Sequence, residues 1–380
     1  MRRALRSGAA AAVVLALSGC VSDNFPGRPT VTPAADAGAG PTMLVNAPGC
    51  LSDNVINLNY VVFEGSLFWT EKVAGTVNSV STSGGSKTVI ATAQMPGPVA
   101  VDGTWIYWVE AGKRIMKKVI RGDAAPTVLV QPGTATEVAG NENVINALLV
   151  SNGFLYFGRY TSALKVPTAG GTPSVMPSVT PSLLGQSPQA DRGKPAAFAI
   201  DQYDLYQTEL DHDAITREAL DGTQDGLLGD TSPARQQGAP DRIAVSQGNL
   251  LTDTIAVVDG NVVWAADKVI YSKPVDAGEK DPSFPSVTAN SAIGGFVVSD
   301  ALVFFAGTAF TQGTDVAKVP LSTSSPAFAD AGAGDAAADA GGPATPVIIA
   351  TDQNKPSQFA ADATNIYWRT GDCKIMKLAK

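Results

Sequence analysis

The sequence predicts an all-β fold, a β-propeller of seven four-stranded blades, with eight blades as the alternative. Three observations predict it. Short aromatic runs recur along the chain: LFWTE from Leu67, IYWVE from Ile106, FLYFG from Phe154, DLYQT from Asp204, VVWAA from Val262, LVFFA from Leu302 and IYWRT from Ile366. They stand roughly 40 to 60 residues apart, a period that in short strands rather than helices means blades around an axis. Each run also sits in the same setting, preceded by an apolar run and a turn and followed by a gap and another apolar run. Finally, TWIYWVEAGKRIMKK (Thr104–Lys118) returns without a gap as TNIYWRTGDCKIMKL (Thr364–Leu378).

Within the second unit the four strands can be placed in order. PVAVD, ending at Asp102, is the innermost strand a. Asp102-Gly103 opens a tight turn, and Glu64-Gly65, Asn152-Gly153 and Asp259-Gly260 hold the equivalent places; such pairs suit hairpins that need positive φ. WIYWVE is strand b, RIMKKV is strand c, and PTVLV (Pro126–Val130) is strand d at the edge. The last unit has strands a, b and c and then the chain ends at Lys380. PTMLV (Pro41–Val45) closely matches PTVLV, yet it stands near the N-terminus with no a, b or c strand of its own. The expectation is that it completes the last blade, so that both chain ends meet in one sheet and the ring closes. Residues 242–251, RIAVSQGNLL, resemble a further a–b hairpin and are the reason for the eight-blade alternative.

The aromatic runs resemble the YWTD class of propellers and, more loosely, NHL-type repeats, over most of residues 44–380. The resemblance implies the ring but no ligand site, because the aspartate that ends the YWTD motif is replaced by Glu71, Glu110 or Thr370. The aromatic side chains themselves are expected in the core, where they supply much apolar area.

Outside the ring, residues 1–19 read as a leader: Arg2, Arg3 and Arg6, then an apolar run from Gly8 to Leu17 that is too short for a mature membrane helix. Leu17-Ser18-Gly19-Cys20 resembles the lipobox of bacterial lipoproteins. That resemblance implies cleavage before Cys20 and acylation of Cys20, and Val21 after it leans toward the outer membrane. Residues 20–40, rich in Pro, Ala, Gly and Asp, read as a tether, and 41–380 as the propeller. A polar stretch at about 323–344, before TPVIIA, reads as a disordered c–d insert of the sixth blade. The net charge of −8 becomes more negative once the leader's three arginines are gone. An acidic chain of this kind has no electrostatic reason to bind nucleic acid or anionic lipid, so any membrane attachment would come through the acyl chains.

With Cys20 acylated, Cys50 and Cys373 remain as a pair in an oxidising compartment. Strands c and d of a blade are antiparallel, so Cys50, after the N-terminal strand d, should lie near Cys373, at the start of strand c, and a disulfide between them would staple the closure. Chemistry is sparse. His212 is the only histidine, which excludes multi-histidine metal sites and leaves any serine triad resting on one residue. It lies with Glu209, Asp211 and Asp213 in TELDHDAIT, a candidate binding or cation loop whose acids do not match an EF-hand. No cofactor is expected, calcium at that loop being the one alternative. No phosphate or dinucleotide fingerprint is present, and GGSKT (Gly84–Thr88) reads as a c–d turn. Extra length falls at about 131–146, 176–196 and 226–254, each expected to follow a strand d and to emerge on the face of the b–c turns. The expectation is a monomeric, lipid-anchored envelope module that binds a protein or glycan with those loops, rather than an enzyme. The alternatives are an envelope-polymer hydrolase or lyase using carboxylates, and a component of envelope assembly.

Overall fold

The computed structural model describes residues 15–17, 40–47, 60–132, 144–159, 162–176, 195–209, 214–220, 241–245, 253–275, 283–289, 293–307, 315–321 and 345–380. Every element among them is a strand. In chain order these are β1 (Leu15–Leu17) and β2 (Thr42–Asn46), followed by the blades. Blade 1 holds β3 (Val61–Phe63), β4 (Ser66–Glu71), β5 (Thr76–Ser81) and β6 (Thr88–Thr92). Blade 2 holds β7 (Val99–Val101), β8 (Trp105–Glu110), β9 (Arg114–Val119) and β10 (Thr127–Val130). Blade 3 holds β11 (Ile145–Ser151), β12 (Phe154–Arg159), β13 (Ser162–Pro167) and β14 (Ser174–Val175). Blade 4 holds β15 (Pro195–Ile200), β16 (Asp204–Glu209), β17 (Ala214–Ala219) and β18 (Asp241–Val245). Blade 5 holds β19 (Asp253–Val258), β20 (Asn261–Ala266), β21 (Val269–Pro274) and β22 (Phe284–Thr288). Blade 6 holds β23 (Ile293–Ser299), β24 (Leu302–Gly307), β25 (Val316–Pro320) and β26 (Val347–Ala350). Blade 7 holds β27 (Ser357–Ala361), β28 (Asn365–Arg369) and β29 (Lys374–Ala379), and β2 pairs with β29 as its fourth strand. The ring is a seven-bladed β-propeller closed by its N-terminal strand, as the PTMLV/PTVLV match predicts.

Alternation along each second strand explains why that strand is so apolar. Ile106 and Trp108 of β8 pack into the seam with blade 1, while Tyr107 and Val109 pack into the seam with blade 3. Side chains of a strand alternate in direction, so a strand between two blades is buried on both faces. The same division sends Ile366 and Trp368 toward blade 6 and Tyr367 toward blade 1. Seven apolar clusters result among the described residues, one in each seam. Trp69, Trp108 and Trp368 are among the largest fully buried side chains. Truncating a buried Trp to Ala costs about 3–5 kcal/mol.

The outer strands carry an irregularity that recurs. Register shifts fall between Met43 and Val45 in β2, between Val128 and Val130 in β10, and at the matching places of blades 1, 4, 5 and 6. A bulge twists an edge strand and breaks its ladder, which protects the rim of the ring from pairing with another chain.

Three sequence expectations are corrected. Residues 241–245 form β18, the outer strand of blade 4, so RIAVSQGNLL begins no eighth blade. The stretch 226–254 is therefore not one loop after a strand d. Residues 220–240 connect strands c and d of blade 4, and only 246–252 connect strand d to blade 5. The a–b turns also fall into two classes rather than one. Glu64-Gly65, Asn152-Gly153, Asp259-Gly260 and also Asp300-Ala301 have positive φ at both residues, as in two-residue hairpins. At Asp102-Gly103 only the glycine does, and the turn is longer: the Asp102 amide donates to the Trp105 carbonyl at 3.1 Å. GGSKT does lie in the c–d connection of blade 1, and residues 322–344 fall between β25 and β26, strands c and d of blade 6.

One strand lies inside the ring. β1 pairs antiparallel with the innermost strand of blade 5, Leu15 opposite Ile255 and Leu17 opposite Asp253.

Candidate functional site

A propeller has two faces. One carries the a–b and c–d turns, the other the b–c and d–a connections. On the first, blades 2, 4 and 7 repeat one arrangement. Asp102, Asp201 and Asp362 each stand five residues before a tyrosine of strand b. One carboxylate oxygen of Asp102 accepts the amides of Thr104 and Trp105, at 3.0 and 2.7 Å. The other accepts the Tyr107 hydroxyl at 2.7 Å. Asp201 does the same for Tyr203, Asp204 and Tyr206, and Asp362 for Thr364, Asn365 and Tyr367. Across the strand from each tyrosine stands a cation, and the cation reaches the next blade. Lys117 donates to the Thr168 carbonyl at 2.7 Å, Arg217 to the Val275 carbonyl at 2.5 Å and Lys377 to the Thr82 carbonyl at 2.7 Å. Burial and the neighbouring Asp push the Tyr107, Tyr206 and Tyr367 hydroxyls well above their ordinary range. This arrangement fastens blade to blade and leaves no free group for a ligand.

The other face differs. Its most telling position is the end of strand b, occupied in turn by Glu71, Glu110, Arg159, Glu209, Ala266, Gly307 and Thr370. Glu71 is buried; it accepts the Trp69 indole N–H at 3.0 Å and Lys87 Nζ at 2.9 Å. Glu110 accepts the Gln94 amide at 2.9 Å and Arg114 Nε at 2.6 Å. Thr370 donates to Asp372 at 2.5 Å and accepts the Lys374 amide at 3.0 Å, and Lys374 pairs with Asp372 at 2.7 Å. These hydrogen bonds and the Lys374 ion pair hold the Asp372 carboxyl down at about 2. Each acid of this rim in blades 1, 2 and 7 therefore has a cation beside it, so none is placed as a free general base.

The seam between blades 7 and 1 is the most unusual part of this face. Burial pushes the Tyr60 hydroxyl far up, against the opposing charge of Arg369 and with the help of Glu71. Among the described residues Arg369 Nε is shut away from solvent with no hydrogen-bond partner, and Arg369 donates to Cys373 Sγ at 4.0 Å. Beside it the d–a connection before β27 holds Asp352, Asn354 and Lys355 at positive φ, and Gln358 in β27 follows at +51°. Non-glycine residues there cost about 1–3 kcal/mol each and cluster at functional sites. Nothing in composition or periodicity marks Arg369 or Gln358; the buried guanidinium reveals the first and the backbone the second.

The residues proposed from sequence are distributed as follows. Glu209 ends β16 and pairs with Ala214 of β17, so TELDHDAIT does span the b–c connection of blade 4, on this face. Asp211, His212 and Asp213 lie outside the described residues, as do Cys20 and Cys50. Cys373 is buried and disulfide-bonded, and its carbonyl accepts the Ala47 amide at 2.9 Å. The connections 131–144 and 176–194 leave on the same face as 210–213. Among the described residues no three Asp, Glu, Cys or His side chains come together to hold a metal, and no helix is long and apolar enough to cross a membrane.

No family model matches the chain, and no curated protein does. Solved structures do resemble it. A streptogramin B lyase superposes with a TM-score of 0.56 at 14% identity, over 82% of this chain and 89% of that one. A catalytically inactive virginiamycin B lyase from Staphylococcus aureus, with quinupristin, gives 0.55 at 12% identity, over 96% and 99%. At such identities the likeness is one of fold alone.

Proposed function

We propose that this chain is a lipid-anchored cell-envelope propeller that binds a protein or glycan as a monomer, through the b–c and d–a face over blades 2 to 4. The observation that carries this reading is a contrast on that face. In blades 1, 2 and 7 Glu71, Glu110 and Asp372 each stand against a cation, Lys87, Arg114 and Lys374, which leaves that part of the rim rigid and chemically quiet. The strands that bound the connections 131–144 and 176–194 and the segment 210–213 end at that same rim. Long loops on a rigid scaffold are the usual seat of recognition. Acylation of Cys20 would fix the chain to the outer membrane, with residues 20–40 as its tether. Pairing of Cys50 with Cys373 would secure the blade that joins the two chain ends; closing so long a loop contributes on the order of 4–5 kcal/mol. The short distance from Ala47 to Cys373 supports it.

Loop shortening tests the reading. Replacing 178–192 by a short Gly-Ser linker should abolish in-cell crosslinking to an envelope protein or glycan while the melting temperature stays in place. The same replacement of 323–344, on the opposite face, should leave crosslinking intact. Turnover of an envelope polymer that survives both linkers and vanishes in Asp211→Asn would instead establish a carboxylate enzyme.

A further inference from the structure

The innermost strand of a propeller blade has only one paired edge. Its other edge faces the axis, with backbone N–H and C=O groups that no strand of the ring satisfies. In this molecule one such edge is taken. β1 runs antiparallel along β19, with Leu15 opposite Ile255, Ala16 opposite Thr254 and Leu17 opposite Asp253, and blade 5 becomes five-stranded. β1 also runs beside β15, β23 and β27, the innermost strands of blades 4, 6 and 7, so it lies within the ring and not on its rim.

A second observation falls on one of those strands. Gln358 of β27 is 1% exposed, and neither its amide oxygen nor its amide nitrogen has a hydrogen-bond partner. A buried amide left in that state is destabilising, because it has given up its bonds to water without replacing them. Its backbone is held at φ +51°, a conformation that a non-glycine residue adopts only under constraint. The interior of the ring thus holds a strand edge that accepts another strand, and a polar side chain with capacity to spare.

We infer that the axial edge of β19 is a strand-acceptor site for an extended, uncharged, apolar peptide segment, filled in the unprocessed chain by its own residues 15–17. Main-chain hydrogen bonds to the edge would give affinity, as in other cases of strand addition. The leader's Val13-Val14-Leu15-Ala16-Leu17 is of the required chemistry: uncharged, apolar and rich in residues that tolerate an extended backbone. The inference rests on the reading of residues 1–19 as a removable leader, because removal would free the edge for a peptide in trans.

The test uses a fluorescent peptide of residues 12–18, the full chain kept uncleaved by Cys20→Ala, and the chain beginning at Cys20. The signal of the buried tryptophans reports that each ring is folded. The shorter chain should bind the peptide saturably, and a peptide carrying proline in place of both Leu15 and Ala16 should not bind, since one of any two successive residues donates to the paired strand. The full chain should bind at least ~10-fold more weakly, because its own tethered segment competes at high effective concentration. Introducing Leu15→Pro together with Ala16→Pro into the full chain should restore binding toward that of the shorter chain. Equal binding by both chains, retention of the proline peptide, or no binding by the folded shorter chain would each overturn the inference. Loop shortening at 178–192 should not affect peptide binding. Failure of the face-binding reading is therefore distinguishable from failure of this one.

Discussion

Where the first and second strands turn, blades 2, 4 and 7 repeat one arrangement of aspartate, tyrosine and cation; on the opposite face the residue ending strand b changes from glutamate to arginine, alanine, glycine and threonine. On the first face the aspartate holds the turn and the tyrosine of its own blade, and the cation opposite that tyrosine bonds across a seam to the next blade's carbonyl. The varied groups on the second face bond mostly to side chains of their own blade, as Glu71 does with Trp69 and Lys87 and Thr370 with Asp372, or to the connection just before it, as Glu110 does with Gln94. Seam-spanning contacts hold the ring together and tolerate little change. Local contacts at a rim can vary blade by blade, and variation is what a recognition surface needs.

The first way to break this comparison is Asp362→Ala. It deprives the Thr364 and Asn365 amides and the Tyr367 hydroxyl of their acceptor, and should cost about 2–3 kcal/mol in chemical denaturation. Tyr367→Phe alone should cost about 1–2 kcal/mol, and the double variant less than the sum, since the two share one bond. A loss under half a kcal/mol for Asp362→Ala would place the strength of the ring elsewhere.

Alkaline pH probes both faces, three tyrosines on the first and Tyr60 on the second. Tyr60, Tyr107, Tyr206 and Tyr367 all ionise less readily in the ring than in an unfolded chain, where the group titrates near 10.0. Their contribution is therefore fully present below pH 10 and is lost as pH climbs beyond it, because only the unfolded chain can release those protons. Denaturation midpoints should fall steeply above pH 10, and less steeply in the Tyr107→Phe/Tyr367→Phe variant. Asp362 acts at the acid end. Burial raises its carboxyl, but hydrogen bonds from Tyr367, Thr364 and Asn365 outweigh that and hold it below 3.8. Its contribution is complete above that pH and disappears as the pH drops further.

Much of the first face was legible in the sequence, because it repeats. The near-identity of Thr104–Lys118 and Thr364–Leu378 revealed blades 2 and 7, and PTMLV revealed the closing strand. Blade 4 was obscured because Gln207 takes the place of the buried tryptophan, with Thr216 opposite it and Glu218 beside it also buried. A polar seam breaks the apolar period on which the reading depends, and β18 consequently passed for part of another blade. The two kinds of a–b turn were merged because Asp-Gly suits both; only the φ of Asp102 separates them. Gln358 and Arg369 left no trace, since backbone strain and an unmade hydrogen bond have no sequence period. The pairing of β1 with β19 was equally out of reach, being a long-range contact between an apolar run and a strand edge that resembles six others.

On the second face, Glu71→Gln should cost about 1 kcal/mol, as the amide keeps an acceptor for the Trp69 indole but gives up the charge opposite Lys87. Asp372→Asn should do least of all. The carboxyl is held at about 2 by Lys374 and Thr370, yet the ion pair is 45% and 40% exposed at its two ends. Water and salt screen a pair so exposed, and its worth falls to about 0–0.5 kcal/mol. If Asp372→Asn instead destabilised the ring as much as Asp362→Ala, the two faces would not differ in the way their bonding implies. The b–c turn of blade 7 would then be part of the closure itself, acting through Thr370, the adjoining Cys373 carbonyl and Ala47.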